Sequence, residues 1–173
     1  KISNAYTLPT SDGSANQVLS TSGSGALSFV DQAGADLYAA NESSPAAQPS
    51  ATGGNAVAIG DSAVASAVDT IAIGFGATAT GNFAASFGRG QAAGVNSVAL
   101  GRGTTGSSAS DSFAMGQATV TGSDSVALGT SRAGGTASFA AVITENNTSY
   151  GATGAYSVAL GYLAKANNFG NIN

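Results

Sequence analysis

The sequence predicts an all-β protein, a β-solenoid wound from coils of 13 to 15 residues and preceded by a small β-module. Three observations carry that expectation. A tetrapeptide of the form apolar-Ala-apolar-Gly recurs along the chain, its closing glycines fall at nearly constant intervals, and the composition leaves little material for any other core. Gly, Ala, Ser and Thr fill 101 of the 173 positions, and 36 of the residues behind the 43% hydrophobic content are alanines. Side chains large enough for a helical bundle are therefore too few.

The repeat reads Val57-Ala58-Ile59-Gly60, Ile71-Ala72-Ile73-Gly74, a weaker Ala85-Ser86-Phe87-Gly88, Val98-Ala99-Leu100-Gly101, Phe113-Ala114-Met115-Gly116, Val126-Ala127-Leu128-Gly129 and Val158-Ala159-Leu160-Gly161. The glycine steps are 14, 14, 13, 15, 13 and 32. Ser138 to Val142 fits the same frame with Val142 in the glycine place, so the long step holds one coil that lacks its glycine and is extended over Thr144 to Gly154. Strict alternation over three residues predicts a short strand, and the glycine that ends it supplies a turn with positive φ. A second light alternation, as in Ala77-Thr78-Ala79-Thr80, predicts a second strand in each coil. So few residues cannot hold a strand and a helix, whereas they can close one turn of a solenoid whose coils stack about 4.8 Å apart.

Alternation puts the two apolar residues of each motif on one face and the Ala on the other. We expect Val57, Ile59, Ile71, Ile73, Val98, Leu100, Val126, Leu128, Val158 and Leu160 to line the interior. The opposite column, Ala58, Ala72, Ser86, Ala99, Ala114, Ala127 and Ala159, is then expected outside, where its lack of bulk invites a close partner. Cyclic association of identical chains is the expected way to cover it.

Residues 1–31 read as a separate β-hairpin or shaft module, with strands expected at Ala5 to Leu8, Gln17 to Ser20 and Ala26 to Val30 between the turns Ser11-Asp12-Gly13 and Ser22-Gly23-Ser24-Gly25. Residues 32–52, with Pro45 and Pro49, read as a linker with at most a helical turn near Ala35 to Ala40. Residues 53–173 form the roll, about eight coils. A chain opening on Lys1 reads as a piece of a longer protein, and Asn167 to Asn173, which begins another coil without a plug, predicts further coils, a neck or a tip beyond.

Absences narrow the chemistry. With no Cys and no His, disulfides, thiol nucleophiles, His-based triads and the usual zinc sites are excluded. Five Lys+Arg against nine Asp+Glu, a net charge of −4, do not suit a nucleic-acid backbone. No stretch reaches the roughly 20 apolar residues of a membrane span, so no membrane insertion is expected of this segment. No cofactor and no enzymatic activity are expected.

The runs Asn96-Ser97-Val98-Ala99-Leu100-Gly101, Asp111-Ser112-Phe113-Ala114-Met115-Gly116, Asp124-Ser125-Val126-Ala127-Leu128-Gly129 and Tyr156-Ser157-Val158-Ala159-Leu160-Gly161 resemble the head repeat of trimeric autotransporter adhesins of the YadA type, from residue 53 to about 170. The resemblance implies a left-handed parallel β-roll that forms a homotrimer and serves as the adhesive or spacer head of a surface fibre. The segment from Tyr6-Thr7-Leu8-Pro9 to Phe29-Val30-Asp31 is similar to modules of tailed-phage fibre proteins. Together these imply a structural virion fibre, associated with other virion or fibre components, that supports attachment to a host surface receptor, a glycan being one candidate. The alternative is the head of a bacterial cell-surface adhesin.

Candidate chemistry is sparse. Asp69, Asp111 and Asp124 share a column with Asn55 and Asn96, an interchange that fits side chains capping a turn better than a catalytic pair. Gly53-Gly54-Asn55 and Gly134-Gly135-Thr136 lack the calcium nonapeptide, so no metal is expected. The fourth residue after each glycine, Val64, Thr78, Ala92, Thr105 and Val120, does not sustain a threonine face for ice. Asn41, Asn146 and Asn147 open Asn-x-Ser/Thr triplets and read as turn residues. The structural turn glycines are Gly60, Gly74, Gly88, Gly101, Gly116, Gly129 and Gly161. The next column, Asp61, Phe75, Arg89, Arg102, Gln117, Thr130 and Tyr162, varies most, as solvent-facing positions do. From it Phe75, Arg89, Arg102 and Tyr162, with Tyr150 and Tyr156, are the candidate receptor contacts. The competing reading makes the arginines solvated charges and packs the tyrosines between chains.

Overall fold

The computed structural model describes residues 6–15, 17–31, 47–141, 143–144 and 147–173. The helical turn expected near Ala35 to Ala40, Val142 in its glycine place, and the triplets at Asn41 and Asn146 lie outside the described residues. The chain divides into two compact units between Asn41 and Glu42.

In the first unit β1 (Gln17–Thr21) pairs antiparallel with β2 (Leu27–Asp31), with Leu19 opposite Phe29. The Ser22-Gly23-Ser24-Gly25 turn joins them, its glycines at φ 78° and 87°. Of the strand expected at Ala5 to Leu8, the described residues 6–8 show a single bridge from Thr7 to Ala26. Pro9, which has no N–H to donate, limits pairing on that side.

The second unit is a β-solenoid of two parallel sheets. The first, eight strands deep, is made by the motif: Val57–Ile59, Ile71–Ile73, Ala85–Gly88, Val98–Gly101, Phe113–Gly116, Val126–Gly129, Phe139–Ala141 and Val158–Leu160. The second holds nine strands of two residues: Ser50–Ala51, Val64–Ala65, Thr78–Ala79, Gln91–Ala92, Thr104–Thr105, Thr119–Val120, Arg132–Ala133, Gly151–Ala152 and Lys165–Ala166. Each strand pairs with its counterpart one coil away, Ala99 beside Ser86 and Ala114, and Ala114 beside Ala127. Ser50–Ala51 pairs with Val64–Ala65, so the second sheet begins inside the span read as linker.

The interior reverses the expected facing. Ala72, Ser86, Ala99, Ala114, Ala127, Ala140 and Ala159 are fully enclosed, and the larger apolar residues of the motif point outward. Volume decides the matter. In a typical coil the two sheets enclose little beyond a small motif residue, a second-sheet residue such as Ala79 or Ala133, a corner residue such as Ala77 or Ala118, and the residue before the motif. At Gly90 and Gly103 even a Cβ would press on Ala99 and Ala114. Leu or Ile in such a space would be heavily overpacked.

The residue before each motif is a buried hydroxyl in most coils. Ser97, Ser112, Ser138 and Ser157 donate through Oγ to the carbonyl three residues earlier at 2.6–2.7 Å, and Thr70 does so at 2.8 Å. These bonds close the turn that enters the first sheet. Among the described residues no buried side-chain polar atom lacks a partner.

One residue earlier the chain is left-handed in every coil. Asn55, Asp69, Phe83, Asn96, Asp111, Asp124, Ala137 and Tyr156 all have φ between 52° and 60°. The Asp/Asn interchange therefore reflects tolerance of this conformation. Instead of capping their own turns, two asparagines ladder between coils: Asn55 Nδ2 donates to Asp69 Oδ1 and Asn96 Nδ2 to Asp111 Oδ1, each at 3.0 Å.

The motif glycines fall into two classes that track the length of the corner they open. Gly60, Gly74 and Gly161 have φ of 107°, 126° and 111°, and three residues separate each from the second strand. Gly88, Gly101, Gly116 and Gly129 have φ of 74°–86°, with two residues in between. The longer corners add their own left-handed residue at Ser62, Gly76 or Leu163. The exceptional coil follows Phe139–Ala141, where buried Ile143 fills the corner and its carbonyl accepts from Thr130 Oγ1 at 2.8 Å.

Candidate functional site

Two surfaces follow from this facing. The outer face of the first sheet carries two columns, one running Val57, Ile71, Ala85, Val98, Phe113, Val126, Phe139 and Val158, the other Ile59, Ile73, Phe87, Leu100, Met115, Leu128, Ala141 and Leu160. No charged side chain interrupts either. Exposure reaches 37% at Val57, 42% at Met115 and 57% at Leu160. An apolar band of this continuity is a surface for contact.

The outer face of the second sheet has the opposite character, with Val64, Thr78, Gln91, Thr104, Thr119 and Arg132 in register. The threonine column thus runs one residue earlier, after the short corners, than a fixed offset from the glycine places it. Ala92, Thr105 and Val120 face inward, and Gln91 and Arg132 interrupt the threonines outside.

The corner after the motif glycine joins these faces, and it brings three of the six candidate contacts together. Phe75, Arg89 and Arg102 sit on successive coils around a shallow open recess of about 320 Å³, completed by Gly76, Gln91 and Thr104. The Arg89 guanidinium lies 5.0 Å from the Phe75 ring centroid, a cation–π contact. The backbones of Arg89 and Arg102 are fixed by N–H bonds of 2.6 and 2.7 Å to Gly101 and Gly116 carbonyls. The recess coincides with the step from a long corner at Phe75-Gly76 to short ones at Arg89-Gly90 and Arg102-Gly103.

The tyrosines are dispersed. Tyr150 packs, half-buried, against the core around Ile143. Tyr156 occupies a left-handed corner and meets Phe169 edge-on at 5.0 Å, so its ring serves coil stacking. Tyr162 stands 76% exposed on a long corner. Asn147 Oδ1 accepts from Ser149 N–H at 2.7 Å, as a turn residue does. Among the described residues no group of three His, Cys, Asp or Glu could hold a metal ion, and no helix is long and apolar enough to cross a membrane.

The family model described as YadA head domain repeat matches residues 51–77, 65–90, 91–104, 107–131 and 152–168. No curated protein matches the chain. The matched segments cover more than half of the sequence, and each takes in strands of the two parallel sheets. On that coverage the chain belongs to the YadA head domain repeat family.

Proposed function

We propose that the protein is a homotrimeric, non-enzymatic fibre component whose roll supports attachment to a host cell. The observation that carries this reading is the unbroken apolar face of the first sheet. A monomer would leave that face in water while its own interior holds little beyond alanine. The roll has a direction, so identical chains that run side by side and bury the same face are related by a rotation axis along the solenoid. Membership of the YadA head family supports three chains and a surface-exposed, adhesin-type assembly.

Within that reading we place the fibre on a virion, in contact with other virion or fibre components and a host surface receptor. The sequence resemblance of Tyr6 to Asp31 to tailed-phage fibre modules favours this setting. The head of a bacterial cell-surface adhesin is the second reading, and the roll suits both. The first test is mass in solution by light scattering: three times 16.5 kDa is expected, and a folded species of 16.5 kDa overturns the trimer. Immunogold labelling of virions and of bacterial cells with antibody to the roll then separates the settings. Label on cell envelopes alone removes the virion.

A further inference from the structure

Arg89 and Arg102 are two of the five cationic side chains in an acidic chain, and they stand on adjacent coils, about 4.8 Å of rise apart. Among the described residues neither guanidinium has an ion pair or a hydrogen bond; Arg89 rests on Phe75 instead. Like charges on the corners of neighbouring coils without a counter-charge are unfavourable, so their shared recess is electrostatically incomplete.

We propose that this recess binds the acidic group of a saccharide, a carboxylate or a sulfate. Two planar guanidinium groups one coil apart can clamp such a group with paired N–H donors, which lysines could not do with the same geometry. The Phe75 ring, 54% exposed at the recess, offers a surface for the C–H face of a sugar ring. The Gln91 amide and Thr104 hydroxyl, both lining the recess, suit ring hydroxyls. A shallow open site fits a glycan end better than a free small anion, which needs enclosure to be held. The biological setting rests on the attachment reading above, whereas the binding chemistry does not.

The test uses the whole chain on an array of sialylated, uronic-acid, sulfated and neutral saccharides, with binding to host cells measured in parallel. Binding confined to acidic saccharides is expected, falling at least tenfold in the Arg89→Gln/Arg102→Gln double variant and less in Phe75→Ala. Arg132→Gln, which removes one charge from the second sheet, should stay within twofold of the parent. The carboxylate and sulfate arms identify which acidic group is taken. Unchanged mass and circular dichroism establish that the variants fold. The proposal is overturned by no preference for acidic over neutral saccharides, by a double variant that binds as the parent does, or by an equal loss in Arg132→Gln. Cell binding that persists with a blank array removes the recess and leaves attachment standing, whereas absence of cell binding by the parent removes attachment alone.

Discussion

Two glycines of the same motif separate conformational strain from steric collision. Gly129 has φ 77° and nothing within 4 Å of a Cβ placed there, so Gly129→Ala carries only the cost of the left-handed conformation, about 1 kcal/mol. Gly74 has φ 126°, and a Cβ there would run into the Gly88 carbonyl of the next coil. Gly74→Ala should therefore cost several times as much, because the ladder to the Gly88 coil must part. Thermal melts check the contrast: a loss of a few degrees at Gly129 against disruption at Gly74, and equal losses would refute it. Ala137 makes the opposite case. It holds φ 52° in the column where Asn55 and Asn96 ladder to the next carboxylate, and Asp124 precedes it by one coil. Ala137→Asn should stabilise by about 0.5–1 kcal/mol, since Asn accepts this conformation more readily and gains a hydrogen-bond partner. A lower melting temperature would show that the ladder contributes nothing there.

At the scale of the strand, Val-Ala-Leu states an alternation without stating which side is enclosed. The periodicity of the glycines made the coils and both sheets legible, yet an expectation that large apolar residues lie inside placed the faces in reverse. The deciding information is the range of sizes at each place in the repeat. The inner motif position is Ala in seven of the eight strands and Ser86 in the other, whereas the outer positions run from Ala85 to Phe113. A place that tolerates only small side chains is walled in, and one that tolerates many sizes is not. The hydroxyls before the motif give the same signal, because buried Ser needs a carbonyl and finds one three residues back. Corner length was harder to read, since Phe75-Gly76-Ala77 and Arg102-Gly103 differ by one residue in a Gly-rich stretch. That difference accompanies the recess, so three candidate contacts were nameable from the sequence while their convergence was not. The facing predicts that Ala127→Leu prevents the roll from closing and abolishes its β-sheet circular dichroism, whereas Leu128→Ala, one residue on, leaves that spectrum intact. A folded Ala127→Leu roll would mean the interior has more room than its neighbours suggest.

For the whole molecule, stability and association are expected to be one property. An interior of alanines and serines buries little apolar area per residue, and the large side chains that could supply more lie on the outer face of the first sheet. Their contribution is realised only when another copy covers them, so the melting temperature should rise with protein concentration, as it does whenever association favours the folded state. A charge placed mid-face probes the link directly. Met115 is 42% exposed between Leu100 and Leu128, and Met115→Glu would bring like carboxylates towards one axis from every copy, in a desolvated setting without a partner cation. The variant should lose the trimer mass and melt at lower temperature, with a concentration dependence weaker than the parent's. Thr104→Glu, on the outer face of the second sheet, adds the same charge where polar side chains already meet water, and it should leave the mass unchanged. If Met115→Glu keeps the parent's mass and melting temperature while Thr104→Glu loses both, the chains associate through the second sheet and the apolar face must find a different partner.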